Sequence, residues 1–393
     1  MSAGLYIHIP FCRHKCLYCD FYSETDLHRM ERFLYALHRE MDRYAEHPLF
    51  STTKIPTLYV GGGTPSLLSP DQLSHIIQHV NEVFQVSPQA EMSLEANPGT
   101  VLKDHLQGYV DAGISRLTLG VQSFVDAELS TLTRIHNSDT AIQAFQFARH
   151  CGIEDIGLDL IFGIPGQTLK SWSRSLQTAL ELRPEHLSIY GLTYEAGTPL
   201  TRLVEGGTVT RIDEELEREM FLLAKHTLES NGYEMYEISN YALPGKRSRH
   251  NQTYWDGRPY LGLGPSAHSF DGAQRWWNVA ELSEYVSRLT SNQTAVQDRE
   301  TLTRSQELEE MILLGLRRRE GIDLNLWRSR SGFDLLPHAH EHFQQYGGID
   351  TCPAFSNSSA SRLLTHCSDE LALTEPGLLL YDNIASLLFD TIS

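Results

Sequence analysis

Three cysteines lie close together near the start of the chain, at Cys12, Cys16 and Cys19. This C-x3-C-x2-C spacing allows one loop to wrap a corner of a cubic iron–sulfur cluster, whose irons are held by cysteine thiolates. Three ligands on a four-iron cube leave one iron open to a substrate. The alternative is a zinc site with His8 or His14 as fourth ligand, although structural zinc sites usually pair two such knuckles. No second knuckle occurs in the sequence, so the spacing favours a [4Fe–4S] cluster.

The remaining cysteines, Cys151, Cys352 and Cys367, are scattered along the chain and are expected to be ordinary thiols. The first residues, MSAGLYIHIPFC, lack the basic and apolar regions of a signal peptide. No apolar run approaches the roughly 18 residues that span a bilayer. We therefore expect a cytoplasmic protein without a transmembrane segment, in which clustered cysteines indicate metal binding or catalysis rather than disulfides.

The composition is that of an ordinary globular protein, with 41% hydrophobic and 21% charged residues. A length of 393 residues favours two domains. The formal net charge is −18, from 50 acidic and 32 basic residues, which disfavours a nucleic-acid partner because neutralising phosphates needs a surplus of Lys and Arg. The only short basic run, the arginines at 317–319, is interpreted as the solvated face of a helix.

Short apolar strands alternate with longer amphipathic stretches over the first 240 residues. This alternation predicts a parallel sheet covered by helices, and six such units suit a partial (β/α)6 barrel better than a Rossmann sheet. The predicted strands are residues 5–10, 57–60, 91–96, 116–121, 156–162 and 186–192. The predicted helices between and after them are residues 27–44, 70–83, 138–150, 169–182 and 214–230.

Each predicted strand is followed by a segment rich in residues suited to binding or catalysis. Working residues collect at the C-terminal ends of parallel strands in both barrels and open sheets. We therefore expect these segments to meet at one edge of the barrel. They read PFCRHKCLYC, GGGTPS, EANPG, QSF, GIPGQ and TYEAGTP in chain order.

The sequence changes character after residue 240. Residues 1–240 are predicted to form the barrel, and residues 241–300, rich in Gly, Trp, Tyr and His, an irregular connecting region. Residues 301–393 are predicted to form a smaller α-rich C-terminal domain, for which a winged-helix-like shape is one option. Within it we expect a helix over 305–318, a polar loop near 356–361, and a hairpin followed by a helix at the end of the chain.

The run YIHIPFCRHKCLYCDF resembles the start of radical S-adenosylmethionine (SAM) enzymes, in particular the oxygen-independent coproporphyrinogen III oxidase family. The resemblance continues in matching order through GGGTPS, EANPGT, LGVQSF, LTRIH and GLDLIFGIPGQ. It implies that the open iron binds the amino and carboxylate groups of SAM. In that family one electron then splits the sulfonium into methionine and a 5′-deoxyadenosyl radical, so the cofactor pair supplies the difficult chemistry.

The resemblance also implies a set of SAM contacts at the strand ends. Glycines at 61–63 would let backbone approach a ligand closely, although a tight turn explains them equally well. A strand-end glutamate suits a ribose or an amino group, or simply faces solvent. An aspartate inside an apolar strand needs a partner, either a ligand or a structural ion pair. The implied contacts are Tyr6, Gly62, Gly63, Thr64, Glu95, Gln122, Arg134, Asp159 and Thr193.

One position departs from the coproporphyrinogen dehydrogenases, which resemble this chain but carry a fourth cysteine where it has Phe21. With the motif H-N-x-x-Y-W at residues 250–255, this pattern is that of the family's haem-chaperone branch. The imidazole of His250 could ligate haem iron and the two aromatic rings could pack on the macrocycle. The same cluster could instead pack a domain junction. His268 is a second, weaker candidate.

The resemblance implies a radical SAM protein that acts as a haem chaperone. Its expected cofactors are a [4Fe–4S] cluster, SAM and haem, and its expected partners are haem-accepting and electron-donating proteins. The alternative is an oxygen-independent coproporphyrinogen III dehydrogenase, which would take a porphyrinogen as substrate. Reductive cleavage of SAM is expected in either case, so classification as an enzyme depends on the reaction that follows.

Overall fold

The fold was analysed in a computed structural model, which describes residues 2–346, 348–351, 362–390 and 392. Cys352 and the predicted polar loop near 356–361 lie outside the described residues. No helix in the described ranges is long and apolar enough to cross a membrane. Two hydrophobic cores organise most of the chain, one under the barrel helices and one in the C-terminal part.

Six parallel strands pair in sequence order and form the partial barrel. Runs of two or three consecutive buried residues occur in these strands, as expected of a parallel sheet whose two faces are both covered. All six predicted strands are confirmed. The strands are β1 Ser2–Ile9, β2 Lys54–Gly62, β3 Gln85–Ala96, β4 Arg116–Gln122, β5 Asp155–Phe162 and β6 His186–Gly191.

The helices of the barrel follow from clear start signals. Ser69 and Thr168 form capping boxes that begin α2 and α6. The predicted helices 70–83, 138–150, 169–182 and 214–230 are confirmed residue for residue, and the predicted helix 27–44 begins with a 3-10 turn, Leu27–Arg29. The helices are α1 Met30–Tyr44, α2 Pro70–Val83, α3 Lys103–Asp111, α4 Asp126–Thr131, α5 Ser138–His150, α6 Leu169–Leu182, α7 Pro199–Glu205 and α8 Glu214–Ser230.

Helix α3 was not predicted from the sequence. It has only two buried residues, and Gly108 in its middle weakens the intrinsic preference for helix. The structure explains this glycine, because a Cβ at position 108 would lie 2.4 Å from the Cβ of Pro70. Close packing of α3 on α2 therefore requires glycine at position 108, although glycine is disfavoured within a helix.

The segment predicted to be an irregular connection instead extends the sheet. In the described residues twelve strands form one sheet, in the order β12-β11-β10-β9-β1-β2-β3-β4-β5-β6-β8-β7. The expectation of irregular structure is wrong because strands of three to six residues, separated by Gly-rich turns, are too short for a clear periodic pattern. The added elements are β7 Glu234–Glu237, β8 Asn240–Ala242, α9 Arg249–Trp255, β9 Tyr260–Leu263, β10 His268–Phe270, β11 Gln274–Asn278, α10 Leu282–Thr290 and β12 Val296–Thr301.

The C-terminal part has its own core and a small four-stranded sheet in the order β13-β16-β15-β14. The predicted helix 305–318 is confirmed as α11, one residue earlier in the chain. The elements are α11 Arg304–Arg317, β13 Ile322–Asp323, α12 Leu324–Ser331, α13 Leu335–Phe343, β14 Ile349–Thr351, β15 Leu364–Cys367, β16 Glu370–Leu373, α14 Glu375–Leu378 and α15 Tyr381–Phe389.

Arg317, the last residue of α11, joins the C-terminal part to the barrel. Its guanidinium forms an ion pair with Glu237 at 2.6 Å and lies 4.4 Å from the ring centroid of Trp255. The Glu237 side chain is fully buried. Interpreting the arginine run at 317–319 as only a solvated helix face is therefore wrong for Arg317. The long-range partner that buries it leaves no local signal in the sequence.

The cysteines outside the N-terminal loop differ from one another. Cys151 is a free, half-buried thiol, as expected. Cys367, at the end of β15, is disulfide-bonded, so the expectation of an ordinary thiol is wrong there. Pairing of scattered cysteines depends on the fold that brings them together, and spacing along the chain does not reveal it.

Candidate functional site

The inner face of the barrel is polar and divides into two levels. Towards the C-terminal ends of the strands it is half-exposed, at Tyr6, Tyr59, Glu95, Gln122 and Asp159. Towards the N-terminal ends its side chains are buried, and several of them are hydrogen-bonded. We call this polar inner face, which is partly accessible at the strand ends and buried beneath, the cavity. The buried lower residues include Thr57, Glu91, Ser93, His186, Ser188 and His250.

The cysteine loop follows β1 and is fixed at its base by backbone hydrogen bonds. The N–H of Cys12 donates to the carbonyl of Glu24 at 2.9 Å, and the N–H of Glu24 donates to the carbonyl of Pro10 at 2.6 Å. Cys12, Cys16 and Cys19 are all free and half-buried. A tight turn, in which the N–H of Cys19 donates to the carbonyl of Cys16, brings the last two cysteines together.

Two polar side chains contact the cysteine sulfurs. Thr64 donates its hydroxyl to the Sγ of Cys12 at 3.3 Å, and the Nη1 of Arg134 donates to the Sγ of Cys16 at 3.5 Å. Both contacts would stabilise a thiolate, which is the form that binds metal. Burial raises the pKa of Cys19, and its neighbours Cys16 and Cys12 raise it further.

No group of three His, Cys, Asp or Glu side chains within the described ranges is arranged to hold an ion. The zinc alternative gains no support, because His8 shares hydrogen bonds with the hydroxyl of Tyr6 and the carbonyl of Tyr22. Burial lowers the pKa of His8 to about 4. The free thiols, with hydrogen-bond donors beside two of them, fit a thiolate-ligated cluster.

The glycines at the end of β2 pack directly against the cysteine loop. A Cβ on Gly63 would lie 2.7 Å from the carbonyl oxygen of Phe11, and one on Gly62 would lie 2.6 Å from the ring of His8. Gly62 also has a φ of +109°, which favours glycine. The N–H of Gly63 donates to the carbonyl of Ile9 at 2.9 Å. These glycines therefore serve the close approach of two loops of the same chain.

Glu95 and Asp159 place two carboxyl groups in the cavity. Glu95 accepts hydrogen bonds from the hydroxyl of Tyr59 at 2.7 Å and from the N–H of Gly62 at 3.0 Å. Burial raises the pKa of Glu95, against these bonds. Burial also raises the pKa of Asp159 to about 7, opposed by a hydrogen bond from Ser188. Asp159 forms no ion pair within the described ranges, so the structural ion pair considered from the sequence is absent there.

Gln122 and Arg134 lie side by side and carry polar atoms without partners. Gln122 adopts a left-handed backbone conformation with a φ of +71°, which is uncommon for a residue other than glycine. Its Oε1 and the Nε of Arg134 are buried and have no hydrogen-bond partner in the described part of the chain. Arg134 also donates through Nη2 to the carbonyl of Gly120 at 2.6 Å. Unsatisfied buried polar atoms beside two carboxyl groups fit a polar, charged ligand such as SAM.

Two of the predicted SAM contacts remain, Tyr6 and Thr193. Tyr6 stacks on Tyr59, with ring centroids 6.2 Å apart. Thr193 follows β6 and is exposed. Sequence reasoning missed Tyr59, which bonds Glu95, and Ser188, which bonds Asp159. For Tyr59 the period-two alternation along β2 was an available signal, since Tyr59 and Gly61 point to the same face. Ser188 lies beside Asp159 through the pairing of β5 with β6, for which the sequence has no local signal.

His250 lies at the closed, lower end of the cavity. Only 1% of the residue is exposed, and burial lowers its pKa to about 3. Its Nδ1 bonds the hydroxyl of Thr57 at 3.0 Å, its Nε2 bonds the hydroxyl of Tyr254 at 2.8 Å, and its ring stacks on Tyr59. Its backbone N–H donates to Glu91 at 3.0 Å. Both ring nitrogens are thus engaged, so haem ligation through Nε2 requires the Tyr254 contact to break.

His268 is exposed and begins β10, one of the strands β7–β12 that extend the barrel sheet and are called the sheet extension below. Its ring stacks on Trp277, with ring centroids 5.9 Å apart. Burial and the nearby charge of Arg275 lower its pKa. The structure therefore separates the two histidines proposed from the sequence, one buried beneath the barrel and one on the surface.

Comparison with known proteins fits this architecture. Residues 6–179 match the family model of the Radical SAM superfamily, and residues 302–380 match that of the HemN C-terminal domain. Over 366 residues the chain is 35% identical to heme chaperone HemW of Bacillus subtilis, covering 92% of this chain and 94% of that protein. The chain belongs to the HemW family. A heme chaperone HemW of Mycobacterium tuberculosis is 36% identical over 325 residues, covering 82% of this chain and 83% of that protein.

Among solved structures, coproporphyrinogen III oxidase (HemN) from Escherichia coli superposes with a TM-score of 0.81. The match covers 99% of this chain and 90% of that one, at 23% sequence identity, and it shows the fold. The predicted family and the predicted barrel with a C-terminal domain are thus confirmed. Membership of the radical SAM superfamily implies a [4Fe–4S] cluster and SAM for HemW-family chains.

Proposed function

We propose that this HemW-family protein is a haem chaperone that holds a [4Fe–4S] cluster on Cys12, Cys16 and Cys19, binds SAM, and passes haem to haem-accepting proteins. The observation that carries the proposal is the match to relatives named heme chaperone HemW, which extends over 92% of this chain. It therefore includes the barrel, the H-N-x-x-Y-W segment and the C-terminal part. The predicted cytoplasmic location is part of this proposal.

The residues around the cysteine loop would prepare it for the cluster. Thr64 and Arg134 donate hydrogen bonds to two of the three sulfurs and so favour their thiolate forms. The glycines at the end of β2 hold the loop against the mouth of the cavity. When bound, the cluster and SAM supply one-electron cleavage of the sulfonium bond.

The polar cavity would orient SAM beside that loop. We assign Glu95, fixed by Tyr59 and Gly62, to accept hydrogen bonds from hydroxyl or amino groups. The unpaired Oε1 of Gln122 and Nε of Arg134 would take up a donor and an acceptor of the ligand. Asp159, whose pKa is about 7, would bind in either protonation state near neutral pH. Tyr6, Gly62, Gly63, Thr64 and Thr193 complete the proposed set.

We propose that haem binds at the H-N-x-x-Y-W segment, where His250 would hold the haem iron. The relatives' name supports haem binding, and the neutral imidazole of His250 is the form that ligates iron. Binding of iron through Nε2 would break the hydrogen bond between His250 and the hydroxyl of Tyr254. Haem binding at this position therefore requires local opening around α9, and this requirement makes the assignment testable.

The second candidate function is coproporphyrinogen III oxidation. The fold of HemN supports the shared architecture, but at 23% identity it supports no more than the fold. Phe21 stands where the resembling dehydrogenases carry a fourth cysteine, and 69% of it is exposed. We therefore rank the dehydrogenase below the chaperone.

One anaerobic experiment separates the two functions. Reconstituted protein is mixed with reductant, SAM and coproporphyrinogen III, and 5′-deoxyadenosine and porphyrin products are quantified in the same tube, with the Cys16→Ala variant as background. A haem titration of the same preparation follows. We expect deoxyadenosine without decarboxylated porphyrin, and saturable haem binding. Stoichiometric protoporphyrinogen would establish the dehydrogenase instead, and absence of haem binding would exclude the chaperone.

A further inference from the structure

We infer that Tyr59 couples the two proposed ligand sites, so that binding of SAM weakens the binding of haem. Tyr59 would act as a positioning residue, because it contacts Glu95 in the proposed SAM site and His250 in the proposed haem site. This inference rests on the proposed function and deepens it, since it gives SAM binding a part in the release of haem.

The side chain of Tyr59 lies between the two proposed sites. Its hydroxyl donates to Oε1 of Glu95 at 2.7 Å. Its ring stacks on that of His250, with ring centroids 5.1 Å apart and an angle of 26° between the two planes. The phenol is rigid, so a shift of the hydroxyl also shifts the ring. One aromatic side chain therefore connects a proposed SAM contact with the proposed haem ligand.

The imidazole of His250 is held by three neighbours. Thr57 bonds its Nδ1 at 3.0 Å, Tyr254 bonds its Nε2 at 2.8 Å, and Tyr59 packs against its ring. Haem binding through Nε2 requires the contact with Tyr254 to break, and hence requires movement around the imidazole. Any contact that fixes the ring more firmly against Tyr59 therefore opposes haem binding.

SAM would strengthen the hydrogen bond between Tyr59 and Glu95. Burial raises the pKa of Glu95, which means that the cavity disfavours its charged form. SAM carries positive charge on its sulfonium and amino groups, and positive charge nearby favours the carboxylate. A carboxylate accepts a stronger hydrogen bond than a neutral carboxyl group does. Tyr59, and with it the ring of His250, would then resist the movement that haem binding requires.

The coupling must act in both directions. If SAM weakens haem binding by a given factor, haem weakens SAM binding by the same factor, because the two paths to the doubly bound protein have equal free energy. In a haem chaperone, arrival of SAM would therefore loosen the haem that is to be passed on.

The test titrates haem into the cluster-loaded protein under anaerobic conditions and without reductant, so that SAM binds but is not cleaved. The Soret band gives the Kd for haem at a series of fixed SAM concentrations. For wild type we expect this Kd to rise about fivefold or more and to reach a plateau when SAM is saturating. A plateau shows that both ligands are bound together. A Kd that rises in proportion to SAM without a plateau would show competition for one site and would overturn the inference.

Tyr59→Phe tests the positioning role directly. It removes the hydroxyl that bonds Glu95 and keeps the ring that packs on His250. The readout is the ratio of the Kd for haem with saturating SAM to the Kd without SAM, which a change in stability alone does not move. We expect the ratio to fall below about twofold. A ratio equal to that of wild type would overturn the inference.

The matched control is Tyr233→Phe, which also removes a buried hydroxyl. That hydroxyl donates to the carbonyl of Pro184 at 2.6 Å, and neither residue belongs to a proposed ligand site. The control should keep the wild-type ratio. The Kd for SAM, measured with and without haem for every protein, sets the saturating concentration and should show the same factor as the haem titrations.

The same titrations distinguish failure of the coupling from failure of the proposed function. A wild type that binds both ligands, but whose Kd for haem is unchanged or lowered by SAM, would overturn the coupling alone. A protein that does not bind haem would contradict the chaperone, and one that does not bind SAM would contradict the proposed SAM site. Either of these two results would overturn the coupling as well.

Discussion

At the scale of single residues, the hydrogen bonds to Cys12 and Cys16 connect the cysteine loop with two other loops of the barrel. Thr64 comes from the segment after β2 and Arg134 from the segment after α4. Each stabilises negative charge on sulfur, and each lies within the set that the sequence resemblance assigns to SAM. Ligand binding and cluster binding would therefore be coupled through these two side chains.

Replacing Cys16 with Ala should remove the cluster, because a site with three thiolate ligands retains only two. We expect loss of most bound iron and of the broad iron–sulfur absorption after anaerobic reconstitution. Cys151→Ala is the matched control, since Cys151 is also a free, half-buried thiol but lies outside the loop. A Cys16→Ala protein with near-wild-type iron content would refute the ligand assignment.

Replacing Tyr254 with Phe tests whether His250 ligates haem. The change removes the hydroxyl that occupies Nε2 of His250 and keeps the ring that packs on Tyr260. If Nε2 binds iron, the freed nitrogen should raise haem affinity severalfold, and His250→Ala should lower it. Haem titrations followed by the Soret band measure both effects. His268→Ala is the control, and superimposable titrations for all proteins would return His250 to a purely packing role.

At the scale of elements, Glu40 joins helix α1 to the sheet extension. It accepts hydrogen bonds from the N–H of Gly264 at 2.8 Å, the amide of Asn278 at 2.6 Å and the hydroxyl of Tyr285 at 2.6 Å. Only 2% of the residue is exposed. These bonds join three points between β9 and α10 to one buried carboxyl group of the barrel, in addition to the pairing of β9 with β1.

Burial raises the pKa of Glu40 to about 7, against its three hydrogen bonds. A folded-state pKa above that of the unfolded chain contributes stability at low pH, and this contribution is lost as pH rises through about 7. We expect the stability advantage of wild type over Glu40→Gln to shrink by roughly 3 kcal/mol between pH 4.5 and pH 8. Urea unfolding at several pH values measures it.

The control for Glu40 is Glu46→Gln, an exposed position just beyond the end of α1. Its stability difference from wild type should remain below about 0.5 kcal/mol at every pH. At pH 8, Glu40→Gln should still be less stable than wild type by about 1–3 kcal/mol, because an amide cannot accept all three hydrogen bonds. A difference between wild type and Glu40→Gln that does not vary with pH would contradict the raised pKa.

At the scale of the whole molecule, the barrel and the C-terminal part meet at Arg317. Its ion pair with Glu237 is supplemented by a backbone hydrogen bond from the N–H of Ile238 to its carbonyl and by the ring of Trp255. Trp255 ends the H-N-x-x-Y-W segment. The proposed haem-binding segment is therefore in contact with the C-terminal part, and we propose that the boundary between the two parts lies near residue 302.

Replacing Arg317 with Met should destabilise the protein by about 3 kcal/mol, because it leaves the buried carboxylate of Glu237 without its partner. The double variant Glu237→Gln/Arg317→Met should recover part of that loss. Urea unfolding measures both. Arg304→Met, which removes an exposed ion pair with Glu307 on the same helix, should cost less than about 1 kcal/mol. Equal losses for Arg317→Met and Arg304→Met would show that the contact contributes little.

The sequence by itself determined the six strands, most of the barrel helices and the cysteine loop. These features are local: a short apolar run, an amphipathic stretch and three cysteines within one loop are each encoded within one segment of the chain. The same local signals, with the family resemblance, indicated the residues that line the cavity. Thr64 and Cys12, Arg134 and Cys16, and Glu95 and Gly62 are indeed in contact.

Only the tertiary structure decided where the remaining groups lie. The burial of His250 depends on Thr57 and Glu91, which are more than 150 residues away in the chain. Arg317 was predicted to be solvated because its partner Glu237 lies 80 positions earlier in the chain. The short strands from residue 240 onwards became regular by pairing with the barrel sheet, β8 with β6 and β9 with β1. Burial and pairing across such separations are set by packing, and a single sequence carries no periodic pattern that reports them.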